Sequence, residues 1–306
     1  MKWMGIILIG ILLILLTAGY FFFRFSCKVH GGLSFDGNGR DPYHDPREKG
    51  KRYLDSLQGT DVWIVSEDGL KLHGLYIQKQ QAEKSVLCAH GYRGTAYGDF
   101  AGCAEILIHE NCNLLLIDER GCGKSEGEYI TFGVKEKKDI LQWTTWLNEH
   151  SSLPVYLYGV SMGSSAVCLC ADHPMKNVHG IIADCGYSSA YKIMTDCCKR
   201  WFHIPGYPMI WFVDFWSIVI AHAPLFTADV KKVLSHASVP VLFIHGTDDD
   251  FVLPENGRIN YKACASEKEL VWIKGAGHAV CSLHDPVTYQ KALHAFFQKT
   301  EKNPFA

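Results

Sequence analysis

The chain has 306 residues, long enough for one large α/β domain or two small ones, with an ordinary balance of 48% hydrophobic and 20% charged residues. A formal net charge of −2 leaves no basic footprint, which argues against a nucleic-acid partner.

The first element departs from that average. No charge lies between Lys2 and Arg24, and Gly5 to Phe23 is almost wholly apolar; about 20 such residues span a bilayer as a helix. A cleaved signal peptide has a shorter apolar core and a small-x-small site after it. Here Thr17-Ala18-Gly19 is followed by the aromatics Tyr20 to Phe23, and Arg24-Phe25-Ser26 before Cys27 lacks the small apolar residues of a lipoprotein site. Residues 1–25 therefore read as a retained single-span membrane anchor. Lys2 precedes the span while Arg24, Lys28 and Arg40 follow it, so the positive-inside rule leans toward a cytoplasmic catalytic part. The twelve cysteines fall mostly singly inside apolar runs, as buried small hydrophobes do, and not at disulfide-framework spacings.

Residues 26–60, rich in Gly, Asp, Pro and basic residues, read as a tether with one short helix near Pro46–Leu57. A domain over 61–300 then opens on a hairpin, because Glu67-Asp68-Gly69 separates the strand-like runs Val62–Val65 and Leu70–Ile77. Apolar strands next alternate with helices: Val86–Ala89, a helix over 98–110, Leu114–Ile117, a helix over 134–149, Val155–Tyr158 and the helix after it. His179–Ala183, Val239–Ile244, Glu269–Ile273 and a last helix from Pro286 to Phe297 follow. Continuously apolar strands alternating with helices predict a doubly wound, mostly parallel sheet of about eight strands. An aromatic insertion over 187–238 interrupts the alternation and is placed to cap the site as a small helical lid; Asp214 and the prolines argue against a second span.

The chemistry centres on Gly159-Val160-Ser161-Met162-Gly163, a strand–turn–helix with the spacing of a nucleophile elbow. Serine needs a base, and the base an orienting group. His278 lies in Gly275-Ala276-Gly277-His278 after the last strand, and an acid cluster, Asp248-Asp249-Asp250, follows the strand ending at Ile244-His245-Gly246. Each group follows a different strand, so all could meet at the carboxyl edge of the sheet. Gly123-Lys124-Ser125 is not a phosphate-binding loop, since Asp118 stands where that motif needs its first glycine. His278 and His284 have metal-like spacing without a matching pair elsewhere. Neither a metal nor another cofactor is expected.

From about Val62 to Phe297 the sequence resembles the α/β-hydrolase superfamily, in particular its bacterial serine esterases and lipase-like members. The resemblance rests on the elbow, on His90-Gly91-Tyr92 after the third strand, on Asp118-Glu119-Arg120-Gly121-Cys122-Gly123-Lys124-Ser125-Glu126-Gly127 after the fourth, and on the His-Gly-x-x-Asp-x-x-Val pattern beginning at His245. It implies Ser161 as nucleophile, His278 as base and Asp249 as acid, with Asp184 a rival for the acid. The backbone N–H of Met162 is expected in the oxyanion hole by the elbow geometry; the resemblance puts the second donor at Tyr92. His90 is expected to shape its loop. The expected activity is hydrolysis of a carboxylic ester, with a small-molecule or lipid-like acyl substrate. Thioester hydrolysis, acyl transfer and peptide hydrolysis use the same three groups, and a non-catalytic scaffold would be expected to lack one of them.

Overall fold

The computed structural model describes residues 2–29 and 42–301. The expected hairpin is formed by β1 (Thr60–Val65) and β2 (Lys71–Ile77), which pair antiparallel from Thr60 opposite Tyr76 to Val65 opposite Lys71. β2 then pairs antiparallel with β4 (Cys112–Ile117). From there every strand is parallel: β3 (Lys84–Ala89), β5 (Val155–Val160), β6 (Val178–Asp184), β7 (Val241–Gly246) and β8 (Lys268–Ile273). The order across the eight-stranded sheet is β1-β2-β4-β3-β5-β6-β7-β8.

The strands are apolar on both faces because both faces are covered. Leu87, Leu115, Leu157 and Ile181 face one layer, built with α5 (Glu136–His150), α6 (Met162–Cys168), α9 (Val230–Leu234) and α10 (Glu255–Ala263). Their alternating neighbours Val86, Cys88, Leu116 and Tyr158 face the other, built with α3 (Ala96–Asp99), α4 (Ala104–His109), α11 (Cys281–His284) and α12 (Pro286–Glu301). The helix expected over 98–110 is therefore two short ones. Thr95 caps α3 by accepting from Gly98 N at 3.1 Å, and the chain turns at Gly102, where an added Cβ would meet Leu283 Cδ2 at 2.7 Å. Two glycines in one turn weaken a continuous helix, and close packing on α11 fixes the break.

All twelve cysteines are free thiols, eleven of them buried. The insertion between β6 and β7 carries α7 (Ala190–Trp201) and α8 (Met209–Trp216), which continues as one π turn to Ala221.

The N-terminal helix α1 runs unbroken over Lys2–Cys27. It is long and apolar enough to cross a membrane. From Trp3 to Ile14 its large side chains are exposed, whereas Phe23 and Cys27 are fully buried in the domain. Its end is pinned by backbone hydrogen bonds, Ile130 N to Cys27 O at 2.7 Å and Val29 N to Glu128 O at 3.0 Å. Of the expected tether, residues 30–41 lie outside the described residues. The helix after them, α2 (His44–Ser56), packs on the domain: Leu54 is buried, and Lys51 O accepts from Tyr97 OH at 2.9 Å.

Candidate active site

Parallel strands deliver their following loops to one edge of the sheet, where ligands bind in open α/β folds. β5 ends there in Ser161, held at φ 55 and ψ −113. Such a backbone is strained for a residue with a side chain, and its neighbours enforce it. A Cβ on Gly159 would lie 2.2 Å from Gly163 O, and one on Gly163 would lie 2.2 Å from Ala89 O. Ser161 N donates to Asp184 O at 2.8 Å, tying the turn to the end of β6. The result presents the Ser161 hydroxyl at the head of α6.

His278, from the loop after β8, reaches that hydroxyl: its Nε2 accepts from Ser161 Oγ at 2.8 Å. Its Nδ1–H donates to Asp249 Oδ2, also at 2.8 Å. Asp249 follows β7 and is buried, and its other oxygen accepts from the N–H groups of Phe251 and Val252, each at 2.9 Å. Burial pushes the Asp249 carboxyl up, but hydrogen bonds with His245 and His278 outweigh it and hold the group down at about 2. Asp249 is thus an anion at neutral pH, which fixes the tautomer that leaves Nε2 free to take a proton.

The other acids are elsewhere. Asp248 and Asp250 are exposed. Asp184 is buried at the end of β6, where it accepts from Tyr289 OH at 2.8 Å and not from His278. Cys185 Sγ lies close to Asp249 and His278, yet the trio does not suit a metal. Burial, then the Asp184 and Asp249 charges, pushes the Cys185 thiol well up. A metal would also compete for the Asp249–His278 hydrogen bond.

The loop after β3 lies against Ser161, with a Cβ on Gly91 falling 3.3 Å from Ser161 Cβ. His90 shapes it from inside, donating from Nδ1 to Gly91 O at 2.7 Å and accepting at Nε2 from Glu119 N at 3.0 Å. Gly91 N is spent on Asp99 Oδ2 at 2.7 Å. Among the described residues, the N–H groups of Met162 and Tyr92 have no acceptor in the protein. Both residues line the same cavity as Ser161.

That cavity is walled by Phe132, Tyr187, Ile193, Met194 and Trp201, and by Phe22 and Phe25 of α1. Contacts that sequence reasoning passed over enter here. Tyr92 OH donates to Ser26 O at 2.7 Å, and Arg93 Nη2 donates to Phe25 O and Lys28 O at 2.8 and 2.7 Å. The loop beside Ser161 thereby caps the carboxyl end of α1. The aromatic run Tyr20–Phe25 was the only trace of this in the sequence, and it reads equally as membrane interface.

An eight-stranded, mostly parallel open sheet with a serine elbow after β5 decides the fold class, and comparison with known proteins agrees. The chain has the α/β-hydrolase fold. Residues 80–204 match the family model described as "Serine aminopeptidase, S33". The uncharacterised YqkD of Bacillus subtilis is 22% identical over 247 residues, which is 79% of this chain and 80% of that protein. The lysophosphatidylserine lipase ABHD12 of Danio rerio is 25% identical over 244 residues, 71% of this chain and 59% of that protein. Among solved structures, the Pyrococcus furiosus esterase Pf2001 superposes with a TM-score of 0.64 at 22% identity, covering 85% of this chain and 96% of that one. Est1E of Butyrivibrio proteoclasticus, solved with ferulic acid, gives 0.61 at 18% identity, covering 79% and 100%.

Proposed function

We propose that the protein is a membrane-anchored serine hydrolase that cleaves a carboxylic ester. The observation that carries this reading is the hydrogen-bonded chain from Asp249 through His278 to Ser161, on a backbone strained to hold the hydroxyl at the cavity. Ser161 Oγ attacks the acyl carbon while His278 Nε2 takes its proton. The carbonyl oxygen becomes an oxyanion beside the N–H groups of Met162 and Tyr92, each such donor supplying about 3–4 kcal/mol to the transition state. Collapse breaks the ester C–O bond, and the imidazolium returns its proton to the departing alkoxide, leaving an acyl-Ser161. Water then attacks the acyl carbon and gives a proton to the same imidazole; collapse breaks the Ser161 Oγ–C bond, the imidazolium returns its proton to Oγ, and the acid is released. Asp249 stays ionised and orients the ring throughout.

An ester suits the cavity better than a peptide amino terminus. Among the described residues no charged side chain lines it, whereas a free ammonium would need a carboxylate partner. α1, whose exposed side chains from Trp3 to Ile14 are apolar, holds the enzyme to the membrane. The test is Ser161→Ala against p-nitrophenyl butyrate. Turnover should fall by about a thousand-fold or more, and fluorophosphonate labelling should disappear while the circular dichroism spectrum is kept. Undiminished hydrolysis by that variant would overturn the reading.

A further inference from the structure

The cavity beside Ser161 is not closed by the sheet and lid alone. Phe22, Phe25 and Ser26, from the last two turns of α1, form one wall of it, facing Phe202 and Met209 of the insertion. A second, open groove lies along the outer side of α1 between Tyr20 and Lys28, and shares Phe22, Phe25 and Phe202 with the cavity. The Phe202 ring packs edge-on against both, at 5.3 Å from Phe22 and 5.9 Å from Phe25. These three rings stand between the groove and the Ser161 cavity.

The depth of that passage follows from helix length. At 1.5 Å per residue, Trp3 to Phe22 covers roughly 30 Å, the thickness of the hydrocarbon core. Arg24 and Lys28 then sit at the headgroups. α8 descends beside α1 in the opposite sense. Gly19 admits it, since a Cβ there would meet Phe212 Cβ at 2.4 Å, and Trp216 Nε1 donates to Leu16 O at 2.8 Å. Leu16 lies about 12 Å below Arg24 by the same helical rise, so the end of α8 is immersed with it.

The outward face of α8 fits immersion. Trp211, Phe215, Ile218 and Val219 are all exposed and all apolar. Asp214 is turned inward, accepting from Tyr191 OH at 2.7 Å and Leu225 N at 2.6 Å. The stretch from Met209 to Ala221 is only about 20 Å long, too short to cross a bilayer, and the chain reverses at His222, with φ 51, and Pro224. An exposed apolar face of this size calls for a partner. Here it is continuous with α1, and the partner that fits both is the bilayer.

We infer that Ser161 is supplied from the membrane. The acyl chain of a single-chain, long-chain ester dissolved in the leaflet passes between α1 and α7–α8, through Phe22, Phe25 and Phe202, into the cavity. Its polar part stays at the level of Arg24 and Lys28. This assignment rests on the ester-hydrolase reading and names its substrate class.

The experiment uses the full chain reconstituted in phosphatidylcholine vesicles with two probes. Palmitate p-nitrophenyl ester is placed either in the same vesicles as the enzyme or in separate, enzyme-free vesicles mixed with them. The expected initial rate is about ten-fold or more higher in the shared vesicles, because a long chain leaves a bilayer slowly. Water-soluble p-nitrophenyl butyrate should be cleaved equally in both mixtures. Equal palmitate rates in the two arrangements overturn membrane supply. Butyrate cleavage without palmitate cleavage overturns the substrate class and leaves the ester-hydrolase reading standing. Cleavage of neither ester overturns both.

Discussion

The edge of the sheet and the α1–α8 pair hold their shape by different forces. At the sheet edge, Ser161, His278 and Asp249 are placed by directional hydrogen bonds from strand ends and loops, with the Asp249 carboxylate satisfied by backbone N–H groups and a histidine. Along α1 and α8, placement comes from close helix packing at Gly19 and from aromatic contacts such as Tyr20 with Trp216, with few polar groups. Hydrogen bonds fix angles to within the tolerance chemistry needs, whereas apolar packing fixes volume and leaves room to slide. On the proposed reading, the first region decides what reaction is possible, and the second what reaches it. Arg93 and Tyr92 are where the two meet.

The sharpest way to break this division is at the acid. Asp249→Asn should lower kcat by about a thousand- to ten-thousand-fold, because an amide can hold His278 in the wrong tautomer. The rival Asp184→Asn should change kcat less than about three-fold and act mainly on stability, since Asp184 bonds to Tyr289 and not to His278. Steady-state kinetics on the butyrate ester separate the two. A larger kcat loss at Asp184 would move the acid to β6.

A smaller effect tests whether the regions are coupled. Arg93→Ala removes two hydrogen bonds from the guanidinium to the end of α1, and charge-assisted bonds of this kind are worth about 1.5–3 kcal/mol each. Part of that loss should appear as freedom of the loop that carries Tyr92, so kcat on butyrate should fall about ten-fold with KM little changed. Unchanged kcat with a lowered Tm would make the contact purely structural and leave the anchor independent of the chemistry.

The two regions also differed in how far they could be read from sequence. The strands were legible because burial on both faces makes them continuous apolar runs, and the loops after them carry Ser161, Asp249 and His278 in an order whose side chains the structure brings within hydrogen-bond distance. The break between α3 and α4 was not legible, because it depends on Leu283 packing over Gly102 from far along the chain. Nor was the dual role of α1. Its aromatics satisfy a membrane pattern by themselves, and only the fold reveals that Phe22 and Phe25 also face the cavity. Tyr92 and Arg93 reach back more than sixty residues to cap that helix, a contact that leaves no periodic signal.

The mildest prediction concerns a buried carboxyl at the sheet edge that lacks partners. Glu119, beside His90, is buried, and neither of its carboxyl oxygens has a hydrogen-bond partner among the described residues. Burial, and then the charges of Glu136, Asp139 and Asp99, pushes its carboxyl well above the usual 4.5. A carboxyl raised in the folded state helps stability fully only below its unfolded value, and that help is lost as pH rises through the folded value. Glu119→Gln keeps the shape and cannot ionise. It should therefore raise Tm by about 2–4 °C near pH 8, and the gain should shrink as pH falls toward the unfolded carboxyl value. Thermal melts of both proteins across that range, read beside the butyrate rate, test it. A gain independent of pH would mean the amide has found new hydrogen bonds. A loss at every pH would mean that the ionised carboxylate is held by partners the fold supplies.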